Sequence, residues 1–169
     1  MKKNLVLLGM MAVGKSTLGK IVAKKHDLTF IDTDLNIEKK NSMTVSEIFK
    51  KKGEKFFRLE EEREVLESIE KKDSVIALGG GAFVNKIVRK KILRDSISIW
   101  LDINLKTLNK RVRWNKKRPI LNDKNNQMTI SKLYTQRKNI YKLAKYRINC
   151  NQLNKEDIVK KIIFFYEKQ

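Results

Sequence analysis

The sequence is poor in residues that break, cross-link or divide a chain. It holds one cysteine, Cys150, one proline, Pro119, and seven glycines among 169 residues. A single cysteine excludes an internal disulfide, and we expect it to be buried as a small apolar residue. The scarcity of proline and glycine leaves no interdomain linker, and no apolar run reaches the roughly 18 residues that a membrane span needs. We therefore expect one domain over residues 1–169 and no membrane partner.

Acidic residues are also scarce relative to basic ones. The chain has 39 lysines and arginines against 19 aspartates and glutamates, which gives a net charge of +20. Such an excess raises nucleic-acid binding as one interpretation. The lysines, however, are scattered beside apolar helical positions, and no RNA-binding aromatic motif or zinc-finger spacing accompanies them. The favoured interpretation is a lysine-rich surface with no nucleic-acid partner, and we expect a monomer.

Short apolar runs alternate with amphipathic stretches along the chain. Runs typical of strands are residues 4–8, 29–31, 75–78, 97–101 and 146–149. Stretches typical of helices are residues 15–25, 44–51, 54–71, 85–93, 105–111, 129–143 and 155–165. This alternation predicts an α/β fold with a parallel sheet covered by helices on both faces. In such a sheet, ligands bind beyond the carboxyl ends of the strands.

The strongest local pattern follows the first predicted strand. Residues 9–17 read GMMAVGKST and match G-x-x-x-x-G-K-[ST] between a strand and a helix. The glycines let backbone N–H groups turn toward phosphate oxygens at a helix N-terminus, whose partial charge favours anions. The Lys15 ammonium can reach the outer phosphates, and the Ser16 hydroxyl can hold Mg²⁺. The predicted nucleotide-binding residues of this phosphate loop are Gly9, Met10, Met11, Ala12, Val13, Gly14, Lys15, Ser16 and Thr17.

Two carboxylates follow the second predicted strand, in the sequence Asp32-Thr33-Asp34. In an extended chain, residues two apart point to the same side, so both carboxylates would face the phosphate loop. One would then help to hold Mg²⁺, and the other would hydrogen-bond an acceptor hydroxyl and take its proton. The alternative is that Asp34 simply caps the next helix.

Three more features surround the predicted strand ends. The glycine run 79–81 ends the third strand and would let a ligand approach the backbone closely; its alternative is a flexible turn. Arg58 lies three residues before Glu61 on a predicted helix, where Glu61 can hold the guanidinium as a receptor for a carboxylate. Taken alone, Arg58 and Arg137 are each more readily interpreted as ordinary surface residues.

A polar segment at about residues 112–127 contains Arg118. It could be a lid that closes over bound nucleotide, excludes water and brings Arg118 to the transferred phosphoryl group. The alternative is a surface loop. A phosphate loop in a chain with one cysteine indicates a reducing compartment, the cytoplasm. The features together favour a small-molecule kinase that uses ATP and Mg²⁺.

In combination, these motifs resemble the shikimate kinases, and the match runs over essentially the whole chain. The sequence has, in order, the phosphate loop, D-x-D, G-E-x-x-F-R-x-x-E from Gly53 to Glu61, the triple glycine, R-P at Arg118, and R-x-x-x-Y from Arg137 to Tyr141. The resemblance implies a three-layer sandwich with a five-stranded parallel sheet in the order 2-3-1-4-5. It also implies transfer of the ATP γ-phosphoryl group to the 3-hydroxyl of shikimate, in the pathway to aromatic amino acids.

The resemblance further implies roles for individual residues. Asp34 would hold the acceptor hydroxyl and act as the base, and Lys15 and Arg118 would complete the catalytic set. Arg111 would lie beside adenine, while Arg118 would bridge ATP and the acceptor. The acceptor-binding region would cover about residues 32–62. The substrate-binding residues implied are Asp34, Arg58, Gly79, Gly80, Gly81 and Arg137.

The implied Mg²⁺ site consists of Ser16 with Asp32 nearby. One departure from the family concerns this site, because members often have a small hydroxyl residue just before the glycine run and this chain has Leu78. The nearest alternative function is a gluconate-type or nucleoside-monophosphate-type kinase, which would share the loop, fold and lid. A basic nucleic-acid-binding protein with a phosphate loop is a more distant alternative.

Overall fold

The computed structural model of the protein describes residues 3–113 and 126–168. Its elements follow the predicted alternation of strands and helices. In chain order they are β1 (Asn4–Leu8), α1 (Lys15–Lys25), β2 (Thr29–Asp32), α2 (Thr33–Asn41), α3 (Val45–Glu70), β3 (Ser74–Ala77), a 3₁₀ turn (Ala82–Val84), α4 (Lys86–Asp95), β4 (Ser96–Asp102), α5 (Leu105–Arg113), α6 (Asn126–Tyr141), β5 (Tyr146–Asn149) and α7 (Lys155–Glu167).

The strands form one parallel sheet in the order β2-β3-β1-β4-β5. The central strand β1 pairs with β3 on one side and β4 on the other, so that Leu5 is in register with Val75 and with Ile97. All residues of β1 and β4 are buried. Near-continuous apolar runs are expected where helices cover both faces of a sheet. The predicted fold, including the strand order, is confirmed.

Helices cover the sheet on both sides because the two crossovers run in opposite directions. Helix α1 lies on the path from β1 to β2, and α4 lies on the path from β3 back across β1 to β4. Since such crossovers are right-handed, α1 and α4 fall on opposite faces. Helix α1 packs against α7, and α4 packs against α3. Because the strands are parallel, their carboxyl ends all lie at one edge of the sheet. The phosphate loop, the Asp32–Asp34 segment and the glycine run 79–81 lie at that edge.

Helix α2 was not predicted, and it corrects the interpretation of Asp32 and Asp34. The chain leaves β2 at Asp32, whose Oδ1 accepts a hydrogen bond from the Leu35 backbone N–H at 3.2 Å and so caps α2. Asp34 lies in the first helical turn and is not extended. The predicted extended arrangement of the two carboxylates is therefore wrong, and the capping role considered for Asp34 belongs to Asp32. The sequence did not indicate α2 because a helix that buries a single large apolar residue, Ile37, shows no amphipathic pattern.

Helix α3 is interrupted at the position where the sequence pattern separated two helices. Gly53 has φ 82° and ψ 167°, a conformation that favours glycine, and it kinks the element between its two parts. The first part begins with a capping box between Thr44 and Glu47. A small apolar cluster of Ile37, Ile48 and Phe57 joins both parts of α3 to α2. This packing places α2 and α3 side by side at the loop edge of the sheet.

Cys150 follows β5 and is fully buried, as predicted. Burial raises the pKa of its thiol to about 11, so the thiol is protonated near neutral pH. Within residues 3–113 and 126–168, no helix has both the length and the apolar character that crossing a membrane requires.

Candidate active site

The phosphate loop connects β1 to α1 through three residues with positive φ. Gly9 has φ 140°, Ala12 has φ 59° and Gly14, the N-cap of α1, has φ 103°. A Cβ on Gly9 would lie 2.6 Å from the Leu101 carbonyl oxygen, so that only glycine fits there. Alternation of right- and left-handed residues makes a concave array of backbone N–H groups that binds anions. The loop therefore has the conformation that phosphate binding requires.

The side chains of this loop are already oriented by short hydrogen bonds. The Lys15 ammonium donates to the Gly9 and Met10 carbonyl oxygens, each at 2.9 Å. The Ser16 hydroxyl donates to Asp32 Oδ2 at 2.5 Å. Asp32 thus links the phosphate loop to the start of α2, because its other oxygen caps that helix. The predicted proximity of Ser16 and Asp32 is found, and both offer the oxygen atoms that Mg²⁺ prefers.

Arg111, near the end of α5, also contacts the phosphate loop. Its guanidinium donates to the Val13 carbonyl oxygen at 3.1 Å. The phosphate-loop motif predicts nucleotide contact for Val13, the family resemblance implies it for Arg111, and the structure brings the two residues together. Arg118 and most of the predicted lid, residues 112–127, lie outside the residues that the structure describes.

The glycine run 79–81 lies directly after β3 and Leu78, and each glycine makes room for a charged side chain. A Cβ on Gly79 would lie 2.3 Å from Asp34 Oδ1, and one on Gly81 would lie 2.5 Å from Arg58 Nη1. A Cβ on Gly80 would lie 3.1 Å from Arg137 Nη1. Side chains from α2, α3 and α6 therefore converge on one short backbone segment. The predicted substrate-binding residues are brought together by this convergence.

Arg58 is held in place by carboxylates and aromatic rings. Its guanidinium pairs with Glu61 at 2.8 Å and with Glu54 at 3.2 Å, and it lies 5.4 Å from the ring centre of Phe57. Burial lowers the pKa of the Arg58 guanidinium, but Glu61 and Glu54 outweigh it, and the pKa lies above its usual value. The guanidinium is a fixed cation with further donors available to a carboxylate.

Glu61 is the buried carboxylate of this group, with 4% of its surface exposed. Burial raises its pKa above the ordinary value, Arg58 opposes the shift, and the neighbouring Asp34 carboxylate adds to it. A Cβ on Gly79 would also lie 2.9 Å from Glu61 Oε1, so Glu61 and Asp34 approach the same glycine. Asp34, Arg58, Glu61 and Arg137 are called the charged cluster below.

Helix α6 is tied to the glycine run by Tyr141, one turn after Arg137. The buried Tyr141 hydroxyl donates to the Gly80 carbonyl oxygen and lies 3.9 Å from Met10 Sδ in the phosphate loop. Burial raises the pKa of Tyr141 to about 12, so this hydroxyl keeps its proton at physiological pH. The sequence motif R-x-x-x-Y therefore places one residue in the charged cluster and one as its support.

Thr33 is a supporting residue that the sequence pattern did not reveal. Its side chain is fully buried, and its hydroxyl accepts a hydrogen bond from the Gly79 backbone N–H at 2.9 Å. The same hydroxyl donates to the Ala77 carbonyl oxygen at 3.4 Å. The side chain of Leu78, by contrast, is buried in the main core. The role of Thr33 could not be predicted from the sequence, because a threonine between two aspartates shows no periodic pattern. The role becomes visible only when α2 is placed beside β3.

A cleft of about 550 Å³ opens beside the charged cluster. Its lining includes Arg58, Glu61, Gly81 and Arg137, together with apolar residues of α4 and α6. The volume falls within the range of pockets that bind small molecules. A compact anionic acceptor would fit a cleft with two guanidinium groups.

Comparison with known proteins agrees with this geometry. The family model for shikimate kinase matches residues 11–167. The shikimate kinase of Bartonella henselae is 42% identical over 161 residues, which cover 95% of this chain and 77% of that protein. The chain belongs to the shikimate kinase family. It is therefore an ATP-dependent kinase with shikimate kinase activity, as the sequence motifs predicted.

Solved structures place the fold in the same family. A shikimate kinase from Acinetobacter baumannii, solved in complex with shikimate, is 31% identical and superposes with a TM-score of 0.93, covering 99% of this chain and 94% of that one. A gluconokinase from Sinorhizobium meliloti is 13% identical, with a TM-score of 0.62 over 99% of this chain and 93% of that one. The gluconokinase shares the fold alone, and the family match favours shikimate over the gluconate alternative.

Proposed function

We propose that the phosphate loop and the charged cluster are the donor and acceptor halves of one active site. The observation that carries this proposal is the convergence of Asp34, Arg58 and Arg137 on the glycine run, next to the phosphate loop. Three charged side chains from three helices meet there on bare glycine backbone, an arrangement that suits a small polar ligand. The acceptor-binding region extends over about residues 32–62, and a lid extends over about residues 112–127.

The acceptor is shikimate, a small polyhydroxylated acid. The Acinetobacter baumannii relative was solved with shikimate bound, which supports the same ligand for this chain. Arg58 and Arg137 would pair with the substrate carboxylate, because guanidinium groups bind carboxylates through paired hydrogen bonds. Gly79, Gly80 and Gly81 would allow the ring to approach the backbone. Pairing of the substrate carboxylate with the two guanidinium groups would fix the orientation of the ring and so of its 3-hydroxyl.

Asp34 holds the 3-hydroxyl of shikimate and receives its proton. As the hydroxyl oxygen bonds to the γ-phosphorus of ATP, the bond from that phosphorus to the bridging oxygen breaks and ADP leaves. The proton passes to Asp34 and then to water. Lys15 neutralises charge on the outer phosphates, and Arg118 would supply a second cation for the transferred phosphoryl group. Arg111 would lie beside adenine.

The residues present fit an Mg²⁺ ion that accompanies ATP. Ser16 Oγ and Asp32 Oδ2 are 2.5 Å apart, so two oxygen donors already lie together beside the phosphate loop. Bound Mg²⁺ neutralises phosphate charge and orients the outer phosphates. In the described ranges no group of three or more His, Cys, Asp or Glu residues could hold a metal. Ser16 and Asp32 would therefore share the ion with phosphate oxygens and water.

We infer that the protein acts as a monomer in the cytoplasm, where ATP is available and a lone cysteine persists as a thiol. Its +20 charge draws anionic substrates toward the site and does not serve a nucleic-acid partner.

A coupled ADP-release assay with MgATP tests the choice of acceptor. Shikimate, gluconate, AMP and CMP are compared at equal concentration. Stimulation of ADP release by shikimate alone is the expected result. Strong stimulation by another acceptor, with none by shikimate, would overturn the proposed acceptor.

A further inference from the structure

A buried carboxylate lies outside the charged cluster and has no part in the steps above. Glu64 on α3 has 2% of its surface exposed and follows Glu61 by one helical turn. Burying a carboxylate is costly unless it is paired and hydrogen-bonded. The partners of Glu64 therefore show why the fold tolerates it.

One oxygen of Glu64 accepts two hydrogen bonds, and the other forms an ion pair. Oε1 accepts from Asn36 Nδ2 at 2.7 Å and from the Ser68 hydroxyl at 3.1 Å, and Oε2 lies 2.7 Å from the Lys40 ammonium. Asn36 and Lys40 belong to α2, whereas Ser68 belongs to α3. One side chain thus joins two helices through a hydrogen bond from Asn36 and an ion pair with Lys40.

The two helices that Glu64 joins carry opposite ends of the proposed acceptor site. Helix α2 carries Asp34 two residues before Asn36, and α3 carries Arg58 six residues before Glu64. The packing of α2 on α3 therefore sets the distance between Asp34, the proposed proton acceptor, and Arg58, the proposed receptor for the substrate carboxylate.

The α2–α3 contact also has hydrogen bonds from the Val45 N–H to Glu38 and from Lys52 to Asn41, but both donors precede the kink at Gly53, whereas Arg58 follows it. The contact includes the apolar cluster of Ile37, Ile48 and Phe57. Hydrophobic contact is non-directional, whereas hydrogen bonds to a charged group restrict both distance and angle. The hydrogen bond from Asn36 to Glu64 supplies the direction that the apolar cluster lacks, and the Lys40 ion pair adds charge attraction between the helices.

We propose that Glu64 is a positioning residue of the shikimate site. Its carboxylate holds α2 against α3 and so fixes Asp34 at the distance from Arg58 that the bound acceptor spans. The proposal rests on the roles proposed above for Asp34 and Arg58. Glu64 itself contacts neither substrate.

The test compares Glu64→Gln with Glu67→Gln. Both carboxylates lie 2.7 Å from the Lys40 ammonium, but the Glu67 side chain is 52% exposed and does not join Asn36. Both residues thus link α3 to Lys40 on α2, and the same chemical change is made at a buried residue that also binds Asn36 and at an exposed one that does not. We measure kcat and the KM values for shikimate and ATP, together with the thermal midpoint.

We expect Glu64→Gln to lower kcat/KM for shikimate about tenfold, with a raised shikimate KM and an unchanged ATP KM, since small misplacements of reacting groups are costly. Glu67→Gln should retain wild-type kinetics. A merely structural role would lower the active fraction and the thermal midpoint and leave both KM values unchanged, and this result would overturn the proposal. Identical wild-type kinetics in both variants would overturn it too.

Asn36→Ala is the second variant, in case Glu64→Gln does not fold. It removes one donor from α2 and leaves the buried charge paired with Lys40, and it is judged by the same two KM values. Arg58→Ala distinguishes a failure of the proposed acceptor site from a failure of the positioning role of Glu64. If Arg58→Ala leaves the shikimate KM unchanged, the proposed acceptor site fails. If it raises that KM while the Glu64 and Asn36 variants do not, only the positioning role fails.

Discussion

The phosphate loop and the charged cluster differ in how far apart their residues lie along the chain. The phosphate loop consists of consecutive residues, 9–17, and its shape follows from local backbone conformations such as those of Gly9 and Gly14. The charged cluster takes residues from α2, α3 and α6 and assembles them around the glycine run after β3. The loop needs one strand-loop-helix unit, whereas the cluster exists only when all these segments are packed.

This difference predicts which function fails first when the packing changes. A substitution in the charged cluster or its supports should alter acceptor binding or turnover and leave nucleotide binding intact. A substitution in the phosphate loop should affect ATP directly. The experiments below separate the two halves by measuring the constants for ATP and shikimate in the same variant.

The largest expected effect is that of Asp34→Asn. An asparagine keeps the shape of the side chain but cannot receive the proton, so kcat should fall by about 10²- to 10⁴-fold. The ATP KM should not change, because the phosphate loop is untouched. The measurement is the coupled assay with both substrates varied.

Asp73→Asn is the matched control for this loss. Asp73 is exposed, lies in the turn before β3 with φ 53°, and asparagine tolerates that conformation. It should have wild-type turnover. A near-normal kcat for Asp34→Asn would remove Asp34 from its proposed role.

The two halves also differ in how far they were predictable from the sequence. The phosphate loop was predictable because every residue that defines it is contiguous and flanked by clear strand and helix patterns. Asp34 was identified, but its geometry was predicted wrongly, because α2 has few apolar residues to mark it as a helix. Arg58 and Arg137, taken alone, resemble surface residues. Thr33 and Glu64 have meaning only once α2 is placed against β3 and α3.

Gly79→Ala should perturb the charged cluster without straining the backbone. The new Cβ would lie 2.3 Å from Asp34 Oδ1, so the carboxylate must move. Among the described glycines, positive φ occurs at Gly9, Gly14 and Gly53, so Gly79 is under no such constraint. We expect kcat for shikimate to fall by about 10- to 100-fold with an unchanged ATP KM.

Gly80→Ala calibrates that effect. Its Cβ would lie 3.1 Å from Arg137 Nη1, at the end of a flexible side chain that can shift by a few tenths of an ångström. Its loss of turnover should be smaller than that of Gly79→Ala. Equal activities for the two variants would argue against a tight fit between Gly79 and Asp34.

The smallest expected effect concerns the pH dependence of stability. Burial raises the pKa of Glu61 above its ordinary value of 4.5, so the folded state holds this proton more tightly than the unfolded state does. The stability that the protonated carboxyl contributes is present below that ordinary value and is lost as the pH rises through the folded-state pKa. The Glu61→Gln variant has no carboxyl to titrate at this position, so it does not lose stability in this way as the pH rises. Its free energy of unfolding relative to wild type should therefore increase between about pH 4 and pH 7.

Glu67→Gln should show the opposite trend. The hydrogen bond from Lys40 lowers the pKa of Glu67, so its contribution is present above the ordinary pKa and is lost as the pH falls. Denaturant unfolding of wild type and both variants at three pH values measures the two slopes. Slopes of the same sign would contradict the assigned environments.

The independence of the two halves is tested most directly by measuring shikimate and ATP binding to Arg137→Ala by calorimetric titration. Loss of a charged hydrogen-bonding partner should weaken shikimate binding by about 10- to 100-fold. ATP binding should remain at the wild-type value. A loss confined to ATP, with shikimate binding unchanged, would contradict the assignment of the charged cluster to the acceptor.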